Sequence, residues 1–135
     1  MSHFTEVKTK IKNKETLKKA LLQMGHQVVE GVEEERVEVR GYFGETQVAD
    51  FKILTTSNYD IGFRLNNEGN YEVVGDWELL PKVSGIQQEA FTKRLKREYA
   101  RESILSISEK MGYSVEYLAQ VNSSETVEIL VKQWG

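Results

Sequence analysis

The feature that most constrains this chain is a long helical pattern leading to a glycine at position 112 and then to two strand-like stretches. It reads KVSGIQQEAFTKRLKREYARESILSISEKMG, from residue 82 onward, with no proline inside it. Phe91, Leu95 and Tyr99 recur at every fourth position and so share a helix face. Ala100, Ile104, Ile107 and Met111 form a second stripe that points nearly the other way, at about 100° per residue. The pattern predicts one helix from residue 83 to Gly112 whose two halves pack against different things, the alternative being a bend near residues 101–103. Residues 114–121 and 126–134 then predict a hairpin across 122–125. Val127, Ile129 and Val131 lie on one of its faces, and Trp134 lies on the other.

Upstream, Thr5, Val7, Thr9 and Ile11 alternate with Phe4, Glu6, Lys8, Lys10 and Lys12, which is strand periodicity. That lysine face is either a solvated guard on a sheet edge or an anion-binding face. Asn13 reads as the N-cap of a short helix, with Leu17, Ala20, Leu21 and Met24 as its buried stripe and Gly25 as its stop. A strand follows at 26–30, and Val37 and Val39 alternate into a hairpin connection at 42–45. Residues 47–54 and 59–65 read as strands joined by 55–58. A turn at 66–70 leads into a strand at 71–77, and Pro81 marks its exit. Both helices end in a methionine, a glycine, an aromatic ring, a polar residue and a valine strand. Duplication of a β-α-β-β unit would produce this echo, and so would the general likeness of helix–glycine–strand junctions.

The expected fold class is α+β: an antiparallel β-sheet with the short N-terminal helix and the long C-terminal-half helix on one face. At 135 residues the chain is expected to be one domain. The net charge of −3 disfavours nonspecific nucleic-acid binding as its main role. Without cysteine, disulfides, thiolate metal sites and cysteine nucleophiles are excluded. No apolar run approaches the roughly 20 residues of a membrane helix, and the opening residues lack a signal peptide's apolar core. A soluble, cytoplasmic protein is expected.

Five blocks carry a family resemblance: MSHFTEVKTKIK, VEVRGYFGETQVADFKI, NYDIGFRLNNEGNYEVVGDWELL, FTKRLKREYA and ILVKQW. In this order and spacing they resemble the conserved hypothetical proteins of cyanobacteria and red-algal plastid genomes known as chloroplast reading frame thirty-five. The resemblance brings no catalytic residues with it. It implies a setting in the cyanobacterial cytosol or the plastid stroma, and a protein partner of ferredoxin-like type rather than a substrate.

Chemistry is sparse. The two histidines, His3 and His26, have no ligand partner at helical or strand spacing, so no metal site and no cofactor are expected. His26 follows a helix C-terminus, where the dipole favours a partly cationic ring. No nucleophile–histidine–carboxylate pattern is visible, and no catalytic residue is assigned. The main polar constellation is Arg40, Asp60, Arg64 and Asp76. Asp60 and Arg64 share a strand face with Gly62, which is expected to leave space above the sheet. The constellation is either a set of ion pairs or a ligand site. Lys93, Arg97 and Arg101 follow one another at i+4 along the long helix, diluted by Glu89, Glu98 and Glu102. They are either a solvated stripe or the contact for an acidic partner. Two roles stay open: a non-catalytic adaptor binding another protein, or a small-ligand or enzymatic domain built over the Asp60 face.

Overall fold

The computed structural model describes residues 3–111, 113–121 and 127–133, with side chains described for residues 3–33 and 35–109. In chain order the elements are β1 (Thr5–Lys8), α1 (Lys14–Gln23), β2 (Val28–Glu30), β3 (Val37–Arg40) and β4 (Thr46–Ala49). There follow β5 (Phe51–Leu54), β6 (Asp60–Leu65), β7 (Tyr71–Gly75), α2 (Leu80–Ser84), α3 (Gln88–Met111), β8 (Tyr113–Val121) and β9 (Val127–Gln133).

Local signals set the first helix as expected. The Asn13 side chain accepts the Thr16 N–H at 3.0 Å, satisfying an otherwise unpaired donor. Leu17, Ala20 and Leu21 are fully buried. At its end, Gly25 takes φ +88°, and the His26 N–H reaches back to Leu21 O while the Gly25 N–H reaches Leu22 O. This pair of bonds is a Schellman stop.

The central sheet is antiparallel, in the order β1-β7-β6-β5-β2. Side chains alternate across it, so Phe51 and Ile53 share one face with their cross-strand partners Phe63 and Ile61. On that face they form one core with Leu17 and Leu21 of α1 and with Phe91 and Leu95 of α3. Burying each large side chain stabilises the fold by about 1.5–3 kcal/mol. The opposite face is covered by β3 and β4, which pair only with each other and contact β5, β6 and β7. The result is three layers: helices, sheet, hairpin.

Three expectations are corrected. The helix does not start at residue 83: Pro81 opens the separate α2, and Gly85, at φ +76°, closes it before α3 begins. Nor is 47–54 one strand. Asp50 donates its N–H to Phe63 O at 2.9 Å and accepts the Leu65 N–H on Oδ2 at 2.7 Å, and the chain changes sheets there. The second stripe of α3 is not a buried face, since Ile104 is half-buried and Ile107 is 56% exposed. The first stripe holds. Phe91 and Leu95 are buried, and the Tyr99 hydroxyl accepts the Asn13 N–H at 3.0 Å, tying α3 to the start of α1.

β8 and β9 pair with each other and contact α3. The two helix–glycine–strand junctions thus lead to different sheets, since β2 joins β5. Gly112, the 122–125 loop and Trp134 lie outside the described residues, as do the side chains of Val127, Ile129 and Val131.

Candidate functional site

Asp60 lies on the sheet face that the hairpin covers, and it is fully buried. Its Oδ2 accepts the Arg40 backbone N–H and the Arg40 Nε–H, each at 2.9 Å, and the Lys52 ammonium at 3.0 Å. Its Oδ1 accepts from Arg40 Nη2 at 2.9 Å. Burial would raise the carboxyl pKa. The Arg40 bonds and Lys52 together outweigh it and hold the group below the usual carboxylate range. Asp60 in turn raises the Arg40 pKa. Lys52 also donates to Glu38 O at 2.8 Å, so both cations tie β3 to the sheet.

Gly62 stands next to this cluster on the same face. A Cβ there would lie 2.3 Å from Val39 Cγ2 and 3.0 Å from Ala49 Cβ. The missing side chain is therefore filled by the hairpin, and the open space expected above Gly62 is absent. Only Arg40 and Asp60 of the four-residue constellation come together. Arg64 lies 3.8 Å from Glu72 on the neighbouring β7 and pairs with Glu6 on β1, one strand further across the sheet. Asp76 is buried at the end of β7, where Oδ1 accepts the Leu79 N–H at 3.2 Å ahead of α2. Asp60 with its four hydrogen bonds is a latch rather than a cradle. Lys52, outside the constellation expected from the sequence, is its third member, and its place opposite Gly62 in the β5–β6 register is the signal for it.

The latch holds a hairpin whose tip is unusual. Phe43 (φ 54°, ψ 36°) and Gly44 (φ 73°) are both left-handed, and the Glu45 N–H donates to Tyr42 O at 3.0 Å. This is the geometry of a type I′ turn, whose first central position favours asparagine, aspartate or glycine. A phenylalanine there costs about 1–2 kcal/mol of backbone strain. Its ring is 87% exposed. Tyr42 packs edge-on against Phe43 at 4.6 Å and against His3 at 4.9 Å. The His3 ring, in turn, hydrogen-bonds Glu78 at 2.7 Å, which raises the imidazole pKa and lowers that of Glu78. An aromatic residue immediately before glycine, between two alternating stretches, is the sequence signal that marks this tip.

On the helix side, Lys93, Arg97 and Arg101 are each half-buried rather than fully solvated, and Arg101 lies 4.0 Å from Glu98. His26 packs near the Phe91 ring at 5.6 Å. Burial and the nearby Arg94 lower its pKa, which corrects the expectation of a partly cationic ring there. Among the described residues no group of three or more histidines or acids could hold a metal ion. No helix among them is long and apolar enough to cross a membrane.

Comparison with known proteins bears out the resemblance carried by the five blocks. Residues 20–130 match the family described as protein of unknown function, DUF1257. The chain is 28% identical over 134 residues to the uncharacterized protein ycf35 of Cyanophora paradoxa, covering 99% of this chain and 98% of that one. It is 30% identical to the uncharacterized protein ycf35 of Guillardia theta over 113 residues, 84% of this chain and 83% of that one. The uncharacterized protein ycf35 of Pyropia yezoensis is 28% identical over 136 residues, 100% of this chain and 99% of that one. No solved structure matches the chain.

Proposed function

The chain belongs to the DUF1257 family, and we propose that this member is a non-catalytic adaptor that binds another protein through the tip of its β3–β4 hairpin. What carries this role is Phe43: a large apolar ring, 87% exposed, on a backbone conformation that its residue type disfavours. Strain kept at an exposed aromatic has no use in folding, but it aims the ring outward. Buried aromatic anchors dominate the energy of protein interfaces, and a ring already held in place loses little freedom on docking. The Asp60 latch fixes the hairpin, so the ring is presented from a rigid base. The setting is the plastid stroma or the cyanobacterial cytosol, and a ferredoxin-like protein is one partner to try.

The basic stripe of Lys93, Arg97 and Arg101 is the weaker docking surface because all three are half-buried. A ligand or acid–base site over Arg40, Asp60, Arg64 and Asp76 is disfavoured too. Asp60 is saturated, and the other two groups point to different partners.

Phe43→Gly tests the proposal, because it moves stability and binding in opposite directions. Relief of the left-handed strain leaves stability unchanged or raises it by about 1 kcal/mol. Stoichiometric partners recovered from the native organism with the wild-type chain are lost. Recovery of the same partners at the same stoichiometry by the folded Phe43→Gly variant removes the hairpin tip from consideration.

A further inference from the structure

The residues ahead of β1 lie across the hairpin. Antiparallel pairing sets Thr5 opposite Gly75, and that direction carries residues 3 and 4 past the end of β7. Phe4 closes over the base of the tip: a Cβ on Gly41 would stand 2.5 Å from Phe4 Cζ, so the glycine makes room for the ring. His3 reaches the tip itself. Its ring meets Tyr42 at 4.9 Å, Tyr42 meets Phe43 at 4.6 Å, and its Nδ1 bonds Glu78 Oε2 at 2.7 Å. A short strap thus runs from the connection after β7, through His3, to the aromatic tip. Its fastening to Glu78 can titrate near neutral pH. Besides Tyr42, His3 is faced by Glu78, by Asp76 at the exit of β7 and by Glu45 on the hairpin. The Glu78 hydrogen bond and the attraction of these three carboxylates raise the imidazole pKa above its ordinary 6.5, against the effect of burial. The His3 bond lowers Glu78 below its ordinary 4.5, and Lys82 of α2 adds to that.

We propose that His3 is a proton-controlled clamp on the Phe43 tip, closed when its imidazole is charged and released when it is neutral, a regulation that rests on the docking role proposed for Phe43. With both partners charged, the bond to Glu78 is roughly twice as strong as a neutral one. A neutral ring keeps one N–H, and with that proton on Nε2 it turns a lone pair toward the carboxylate. Because the folded pKa of His3 is raised, the clamp's hold is complete below 6.5 and is lost as pH rises through the folded value. On the acid side it is lost as pH falls through the lowered pKa of Glu78. Asp60, held below the usual carboxylate range, keeps Arg40 fastened throughout the upper transition. Only the turn beyond Gly41 therefore loosens, and docking by Phe43 weakens as the solution becomes alkaline.

NMR titration of the full chain, with no partner present, tests the clamp. In the wild type the His3 ring titrates above 6.5, and the Tyr42 and Phe43 signals shift with the same midpoint. Across it the Phe43 backbone order parameter falls from about 0.85 toward about 0.6. Glu78→Gln brings the His3 midpoint back toward 6.5 and takes the tip's transition with it. His3→Gln abolishes that transition, and both variants keep the wild-type melting temperature because neither side chain is buried. His26, whose pKa is lowered by burial and Arg94, is the internal control, and its titration is the same in all three proteins. Tip signals that ignore the His3 midpoint, or a tip transition that survives in His3→Gln, overturn the clamp. Recovery of the partners by Phe43→Gly overturns the docking role instead, and leaves this titration as it was.

Discussion

The two faces of the central sheet are closed by opposite means. On the helix side, Phe51, Ile53, Ile61 and Phe63 meet an apolar stripe, and closure follows from area removed from water. On the hairpin side, a glycine lets Val39 and Ala49 approach, and one buried carboxylate gathers an arginine and a lysine. Apolar burial is non-directional and tolerates any cover of the right shape. A buried ion cluster is satisfied in one geometry only, so it stabilises little net but selects the hairpin's register. The helix face provides stability; the hairpin face provides position.

Leu21→Ala is the severest test of the apolar side. Leu21 is fully buried, and its loss should cost about 2–5 kcal/mol in denaturant unfolding, equally at pH 7 and pH 4. A loss below about half a kcal/mol would mean that the stripe is not core.

Asp60→Ala should cost about 3 kcal/mol, the low end for breaking a buried pair, because Arg40 can swing into water while Lys52 cannot. Unlike the first, this loss should depend on pH. The folded pKa of Asp60 lies below its ordinary value of 3.8, so its stabilisation is full above that value. It fades as pH falls through the folded pKa, and the gap between wild type and variant should close with it. A gap that stayed constant on acidification would show that Asp60 acts by shape rather than charge.

Gly62→Ala sharpens the comparison at one methyl group. Overpacking against Val39 should cost about 1–3 kcal/mol and loosen the hairpin, read as faster amide exchange at Val39 with α1 unchanged. Arg64→Met should do least. Its pairs with Glu6 and Glu72 are partly exposed, so the change should stay within about 1 kcal/mol. A larger loss would extend the latch to the uncovered part of that face.

Much of this was legible in sequence wherever a local signal decided the structure. Asn13 and Gly25 bracket α1, and the alternation of residues 60–65 and 71–75 gives β6 and β7. Pro81 and Gly85 carry the signature of a short helix, although the helical period running past them hides it. Period-two alternation continues through Asp50, so nothing local marks the change of sheet, which is made by hydrogen bonds to Phe63 and Leu65. In the polar constellation, strand periodicity alone puts Asp60 on a face with Gly62 and Arg64. Its partners come from β3 and β5, which spacing along one strand cannot reveal. In the sequence Phe43 is only part of a connection, because exposure is a property of the assembled fold.

The strand order also dictates a timetable during synthesis. β5, β6 and β7 follow one another as a meander and can pair as they are made, but β1 closes the sheet by matching Thr5 to Gly75. Within the five-stranded sheet, β1 thus precedes its four companions in the chain yet pairs after them. Until then β7, whose five residues are all buried in the finished fold, stands as a bare edge on the nascent chain. The lysines beside β1 travel with the segment that ends this exposure, so the interval before docking is when association with other chains is most dangerous.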